Sequence, residues 1–162
     1  MNAPTGTARR LSLVWSTKDE AVPQLRVAFA SADRLRVDQH FGAAEGLVVY
    51  DVTPEKATLV GVGQFQAAAM DGNESKLAAK VDFLQGCAAV FVMAIGASAI
   101  QQLLAQGVQP IRIGETDTID ALLGEIANAM KIGGVGWIDR ALASQQRSND
   151  RFAAMEEEGW PG

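Results

Sequence analysis

One imidazole and one thiol bound the side-chain chemistry of this chain. His40 and Cys87 are its only histidine and cysteine in 162 residues, and His40 stands in the polar, glycine-ended stretch Asp38-Gln39-His40-Phe41-Gly42. A neutral imidazole is the commonest metal ligand among side chains. A single one with open space beside it suits a weakly held, transferable metallocluster better than a permanent ion. His40 is therefore the candidate metal ligand, although the same residue can do no more than hydrogen-bond its own loop, and the sequence leaves both readings open. Phe41 and Gly42 are expected to shape that loop. Asp38 either orients the imidazole as an acceptor or caps a turn.

Other chemistries lack their residues. One cysteine and one histidine exclude an internal disulfide and a closed four-ligand structural metal site built by one protomer. Met70 can lend a thioether to a soft metal, whereas Met93 and Met130 read as core. Asp71, Asn73, Glu74 and Lys76 have the spacing of a helix start with a solvated face. A Ser-His-Asp hydrolase is unsupported, since no serine sits in a nucleophile-elbow setting. A two-metal nuclease needs an acid in the first strand, and Leu25–Ala30 has none.

Composition narrows the partners. With 14 Lys+Arg against 19 Asp+Glu the formal charge is −5, and no basic run exceeds Arg9-Arg10, so nucleic acid is not an expected partner. The chain is 48% hydrophobic and 20% charged, the profile of one globular domain that buries roughly two-thirds of its unfolded surface. Its longest apolar stretch, near residues 88–95, falls far short of the ~20 residues of a membrane span. The run Leu11-Ser12-Leu13-Val14-Trp15 closes too early for an export signal. A cytoplasmic protein is expected.

The elements that must position His40 follow from periodicity. Residues 1–24 keep no period and read as a lead-in. Leu25–Ala30, Gly46–Val52 and residues 57–65 read as strands, the last two joined as a hairpin by Thr53-Pro54-Glu55-Lys56. Leu77, Val81 and Leu84 then recur at helical spacing, with Asn73 as N-cap and Gly86 as the stop. Residues 88–93 form a continuous apolar run of the kind buried on both faces. Ile100, Leu103 and Leu104 mark a second helix ending at Gly107. A fifth strand over 108–113 and a third helix carrying Ile119, Leu122, Leu123, Ile126 and Met130 complete the order βββαβαβα, with Thr116, Asp117 or Thr118 as that helix's cap. The fold class is α/β, a mixed five-stranded sheet flanked by helices, because strand-helix-strand connections are right-handed crossovers. Residues 131–136 read as a linker, and 132–162 as a partly helical tail with Trp137, Ile138, Ala141 and Leu142 on one face.

This order sends the loops 32–45, 66–73, 94–98 and 114–118 to one rim of the sheet, together with His40. All three helices begin there, so their N–H groups favour an anion. Gly96-Ala97-Ser98 and Gly114 keep the backbone uncluttered at strand ends where open α/β sheets bind ligands. Cys87 lies at the other end, about 20 Å away along one strand.

In Arg26-Val27-Ala28, the 36–42 stretch, Val48-Val49-Tyr50-Asp51-Val52, residues 88–96 and Gly107-Val108-Gln109-Pro110, the chain resembles the dinitrogenase iron-molybdenum cofactor-binding family of NifX/NifY type. The resemblance spans about residues 25–130, so 25–131 is expected to be a cofactor-binding domain. It implies a ribonuclease H-like fold and no catalysis. It also implies a carrier of iron-sulfur precursor clusters, of NifB-co type, or of finished iron-molybdenum cofactor between nitrogenase assembly proteins. The family's His-Phe-Gly motif falls on His40-Phe41-Gly42. With the rim loops, the expected cofactor-binding set is His40, Phe41, Gly42, Met70, Asn73, Gly96 and Ser98. Two other readings compete: a cluster-free module that stabilises an assembly partner, and a degenerate nuclease. Trp137 and Trp160 flank a charged tail expected to meet a protein partner, the alternative being a helix folded back on the domain.

Overall fold

Five of the six residues of strand β1 (Leu25–Ala30) are buried, Arg26 being the exception. A strand buried on both faces must lie inside a sheet covered on both sides. The computed structural model describes residues 22–65 and 73–157, so most of the expected lead-in, Met70 and Trp160 lie outside the described residues. The remaining elements are β2 (Arg36–Val37), β3 (Gly46–Val52), β4 (Ala57–Gln64), α1 (Asn73–Phe83), β5 (Ala89–Val92), α2 (Ala97–Ala105), β6 (Gln109–Arg112), β7 (Asp117–Thr118), α3 (Ile119–Ile132) and α4 (Gly136–Glu157). The sheet order is β4-β3-β1-β5-β6. β1 pairs antiparallel with β3 and parallel with β5. The expected hairpin is present, with Thr53 Oγ1 accepting from the amides of Glu55 and Lys56 in its turn.

Alternation along β1 divides the core in two. Leu25, Val27 and Phe29 face Ile119, Leu122, Ile126 and Met130 of α3, while Ala28 and Ala30 face Val81, Leu84, Ala99 and Leu103 from the α1 and α2 side. Phe29 stacks on Phe91 at 5.2 Å between ring centroids. The helix stops fall where the glycines predict them. Gly86 and Gly107 adopt φ of 90° and 85°, which a Cβ disfavours. At the second, the amides of Gly107 and Val108 close back on the carbonyls of Leu104 and Leu103, with Val108 buried.

Two features depart from the sequence reading. The two-residue strands β2 and β7 pair as a separate antiparallel ribbon, with Arg36 opposite Thr118; such short strands carry no period to read. The expected linker is also shorter, since α3 runs to Ile132 and closes on Gly133. The expected tail is the helix α4, and its first turns are folded back. Ile138 is 2% exposed in the core that holds β1, and Trp137 meets Phe91 edge-on at 6.0 Å. Removing residues 137–162 would therefore strip the core as well as a surface. Replacing Ile138 with alanine is expected to lower the unfolding free energy by roughly 2–5 kcal/mol in urea denaturation. An unchanged midpoint would mean that α4 is not packed on the sheet.

Candidate functional site

The rim loop holding His40 begins where β1 ends. The Asp38 amide donates to the Ala30 carbonyl at 3.2 Å, and the Asp38 carboxylate accepts from the Ala32 amide at 3.1 Å. Asp38 thus caps a turn and does not orient the imidazole. The chain next runs alongside the end of β5. Met93 donates to the Gln39 carbonyl at 3.0 Å and Phe41 to the Ala94 carbonyl at 2.8 Å, so His40 and Ala94 form an isolated parallel bridge. The amides of Ala43 and Ala44 then bond the carbonyls of His40 and Phe41, and the Gln39 side chain accepts from Glu45 at 2.8 Å.

A buried lysine braces this turn from beneath. Lys80 on α1 is 2% exposed, and its ammonium donates to the carbonyls of Phe41 at 3.2 Å and Gly42 at 2.8 Å. The Phe65 ring lies 5.8 Å from the same nitrogen. Burial pushes Lys80 below the usual lysine range, with repulsion from Lys76 adding to it. Sequence reasoning missed this residue, because a fully buried lysine is rare. One signal was available: Lys80 lies three residues after Leu77 and four before Leu84, within the apolar stripe of α1.

The expected site residues sort as follows. His40 is exposed, and among the described residues no hydrogen bond or ion pair engages its imidazole. Phe41 is fully buried with Ala44 and Leu47, so its side chain anchors the loop and is not open to a ligand. Gly42 is exposed, and a Cβ there would meet nothing within 4 Å. Gly96 caps α2 without any side-chain hydrogen bond, leaving that helix N-terminus open. Ser98, exposed in the first turn, accepts from Gln102 at 3.2 Å. Asn73 is the first residue of α1, and its side chain lies outside the described residues, as does all of Met70.

The convergence of three free helix N-termini needs correction. Thr118 caps α3 by accepting from the Ala121 amide at 3.1 Å, and the Ile119 amide donates to the Leu35 carbonyl. The N-terminus of α3 is thus occupied by the chain itself. Thr116, a candidate cap, instead donates to the Val37 carbonyl at 2.8 Å.

Among the described residues no three His, Cys, Asp or Glu side chains gather to hold a metal ion. Cys87 sits at the opposite end of the sheet, lining a cavity of about 420 Å³ with Arg26, Gln109, Trp137 and Arg140. A second cavity of about 340 Å³ opens beside Ser31, Arg34 and Glu45. His40 lines neither. No described helix is long and apolar enough to cross a membrane.

Fold and site together define a small mixed-sheet domain that exposes, on a braced rim loop, one imidazole without a partner among the described residues. Residues 23–129 match the family described as dinitrogenase iron-molybdenum cofactor. Protein NifX of Azotobacter vinelandii is 43% identical over 162 residues, covering 99% of each chain. Protein NifX of Klebsiella pneumoniae is 37% identical over 142 residues, covering 85% of each. The chain belongs to the NifX group of this family. Among solved structures, PH0822 is similar in fold, with a TM-score of 0.51 and 22% identity over 65% of this chain and 90% of that one.

Burial also fixes the behaviour of Cys87, whose thiol is pushed up to about 11. A thiol raised in the folded state stabilises the fold below its unfolded value, near 8.5, and that contribution is lost as pH climbs toward the folded value. Denaturation midpoints are therefore expected to fall between about pH 8.5 and 11. Alkylation at pH 8 should be far slower in native than in urea-unfolded protein, and equal rates would contradict the burial.

Proposed function

We propose that the chain is a non-enzymatic, cytoplasmic carrier. In this reading it binds an iron-sulfur precursor cluster, or the finished iron-molybdenum cofactor, and passes it between nitrogenase assembly proteins. One observation carries the reading: a single exposed imidazole, without a partner among the described residues, on a loop tied by a hydrogen bond at every residue from Asp38 to Ala44. A bare ion needs several protein ligands, and among the described residues no three His, Cys, Asp or Glu side chains gather to hold one. A preformed cluster brings its own sulfides and needs one anchoring nitrogen from the protein, which also lets it leave again. The open N-terminus of α2 at Gly96 and Ser98 would favour its negative charge. Met70 and Asn73 stay in the proposed ligand shell on sequence grounds. Membership of the NifX group supports the cargo. A ribonuclease H-like classification belongs to the same proposal, supported by a mixed sheet whose parallel strands continue from an antiparallel hairpin. The acid-free β1 speaks against a nuclease.

His40→Ala is expected to keep the fold, since an exposed loop substitution seldom changes stability by more than about 0.5 kcal/mol. It should weaken uptake of isolated iron-molybdenum cofactor, followed anaerobically by absorption and EPR. Wild-type affinity in that variant would sink the assignment.

A partner-binding role for the far part of α4 has its own support: Arg147, Asp150 and Arg151 are exposed there, beyond the residues packed on the sheet. Deleting residues 147–162 is expected to leave cofactor uptake unchanged and to slow transfer to the acceptor scaffold. Equal transfer rates at limiting acceptor would remove that role.

A further inference from the structure

Lys80 poses a physical question that the fold does not answer. A charged ammonium removed from water is costly unless it is paired, yet among the described residues no carboxylate pairs with this one: its partners there are two backbone carbonyls and the Phe65 ring. Phe41 and Phe65, which it contacts, belong to an apolar cluster with Val81 and Leu84, beside which a methionine or leucine would be buried at lower cost. The Phe41 carbonyl already accepts from the Ala44 amide, so closing the turn does not require the lysine.

The lysine does fix which way the peptide units face. A trans peptide directs its C=O and N–H in opposite senses. Holding the Phe41 carbonyl toward Lys80 therefore turns the Gly42 N–H away from it. That amide has no backbone or side-chain acceptor among the described residues, and the space above Gly42 is empty enough that a Cβ would touch nothing. An exposed imidazole and, two residues on, an amide donor without a described acceptor thus belong to one turn that a group inside the protein holds.

We propose that Lys80 is the positioning residue of the cluster site: from beneath the turn it holds the Phe41 and Gly42 carbonyls, and so presents the His40 imidazole and the Gly42 amide together to an anionic, sulfide-bearing ligand. The amide donates to a sulfide while the imidazole takes the metal, and Lys80 itself touches neither. This rests on the carrier reading above for the identity of the ligand.

The single histidine makes the test direct, because long-range proton-nitrogen correlation of the imidazole gives one pattern that reports the loop without any ligand. In Lys80→Met the imidazole and Gly42 amide signals are expected to broaden or split while the signals of the opposite core around Phe29 stay in place. Uptake of isolated iron-molybdenum cofactor should weaken on the order of ten-fold or more, as when groups that orient a metal ligand are removed. In the His40→Ala background the same substitution should weaken uptake less than in the wild type, since only the Gly42 amide is left for Lys80 to position. Unchanged imidazole and amide signals, or an equal loss in both backgrounds, overturns the proposal. If His40→Ala alone binds as the wild type does, the carrier reading of His40 falls, and the ligand-free spectra still decide whether Lys80 orients the turn. Should Lys80→Met not fold, the wild-type chain supplies the second measurement. Its Lys80 ammonium protons are expected to exchange slowly and to give cross-peaks to Phe41 and Gly42, and exchange as fast as that of the exposed Lys131 overturns the proposal.

Discussion

Burial of β1 on both faces is the constraint from which the rest of the architecture follows. A strand with Val27, Ala28, Phe29 and Ala30 all shielded from water needs a helical layer on each side of the sheet. The hairpin β3-β4 supplies no helix, so among the described residues both layers come from the chain after Gln64, and the parallel strands β5 and β6 enter through crossovers. Each crossover brings the chain back up the sheet and ends a strand at the same rim. The meeting of the His40 loop, the end of β5 and the start of α2 is thus a geometric result of covering one central strand twice.

At that rim the molecule ties down each loop residue and, among the described residues, leaves the His40 imidazole without a partner. Every residue from Asp38 to Ala44 has at least one backbone group tied by a hydrogen bond, while the Gly42 amide is left without an acceptor among the described residues. A loop held this firmly presents its side chain in a narrow range of positions, so little ordering is left to be done when a ligand arrives. Weak binding by few protein ligands and a rigid mount are compatible demands on a carrier, since the first allows release and the second preserves recognition.

Much of the fold was legible because apolar periodicity reports burial. The five main strands and the helices α1 to α3 were marked by alternation, by the stripe from Leu77 to Leu84, and by Gly86 and Gly107 at their stops. The ribbon of β2 and β7 was not, because two residues have no period and their partners lie far apart in sequence. His40 was legible as the only imidazole. Its bracing was not, since Lys80 has the residue type of a solvated face, and only the three-dimensional meeting of α1 with the 40–42 turn explains its burial. The first turns of α4 hid behind three glycines at 133, 134 and 136, which read locally as a tether, while Ile138 was already on the apolar side that seats it.

The ribbon of β2 and β7 bears on the portability of the loop. Thr116 reaches the Val37 carbonyl across 79 positions of sequence, and Lys80 reaches the Phe41 carbonyl across 39. The stretch that carries the histidine is short, but the contacts that give it shape come from both later thirds of the chain. A peptide spanning only Asp38 to Gly46 would keep the motif and lose the conformation, and grafting it onto another scaffold would transfer letters without the mount. The site is a property of the completed fold, assembled only when segments distant in the chain have closed on one another.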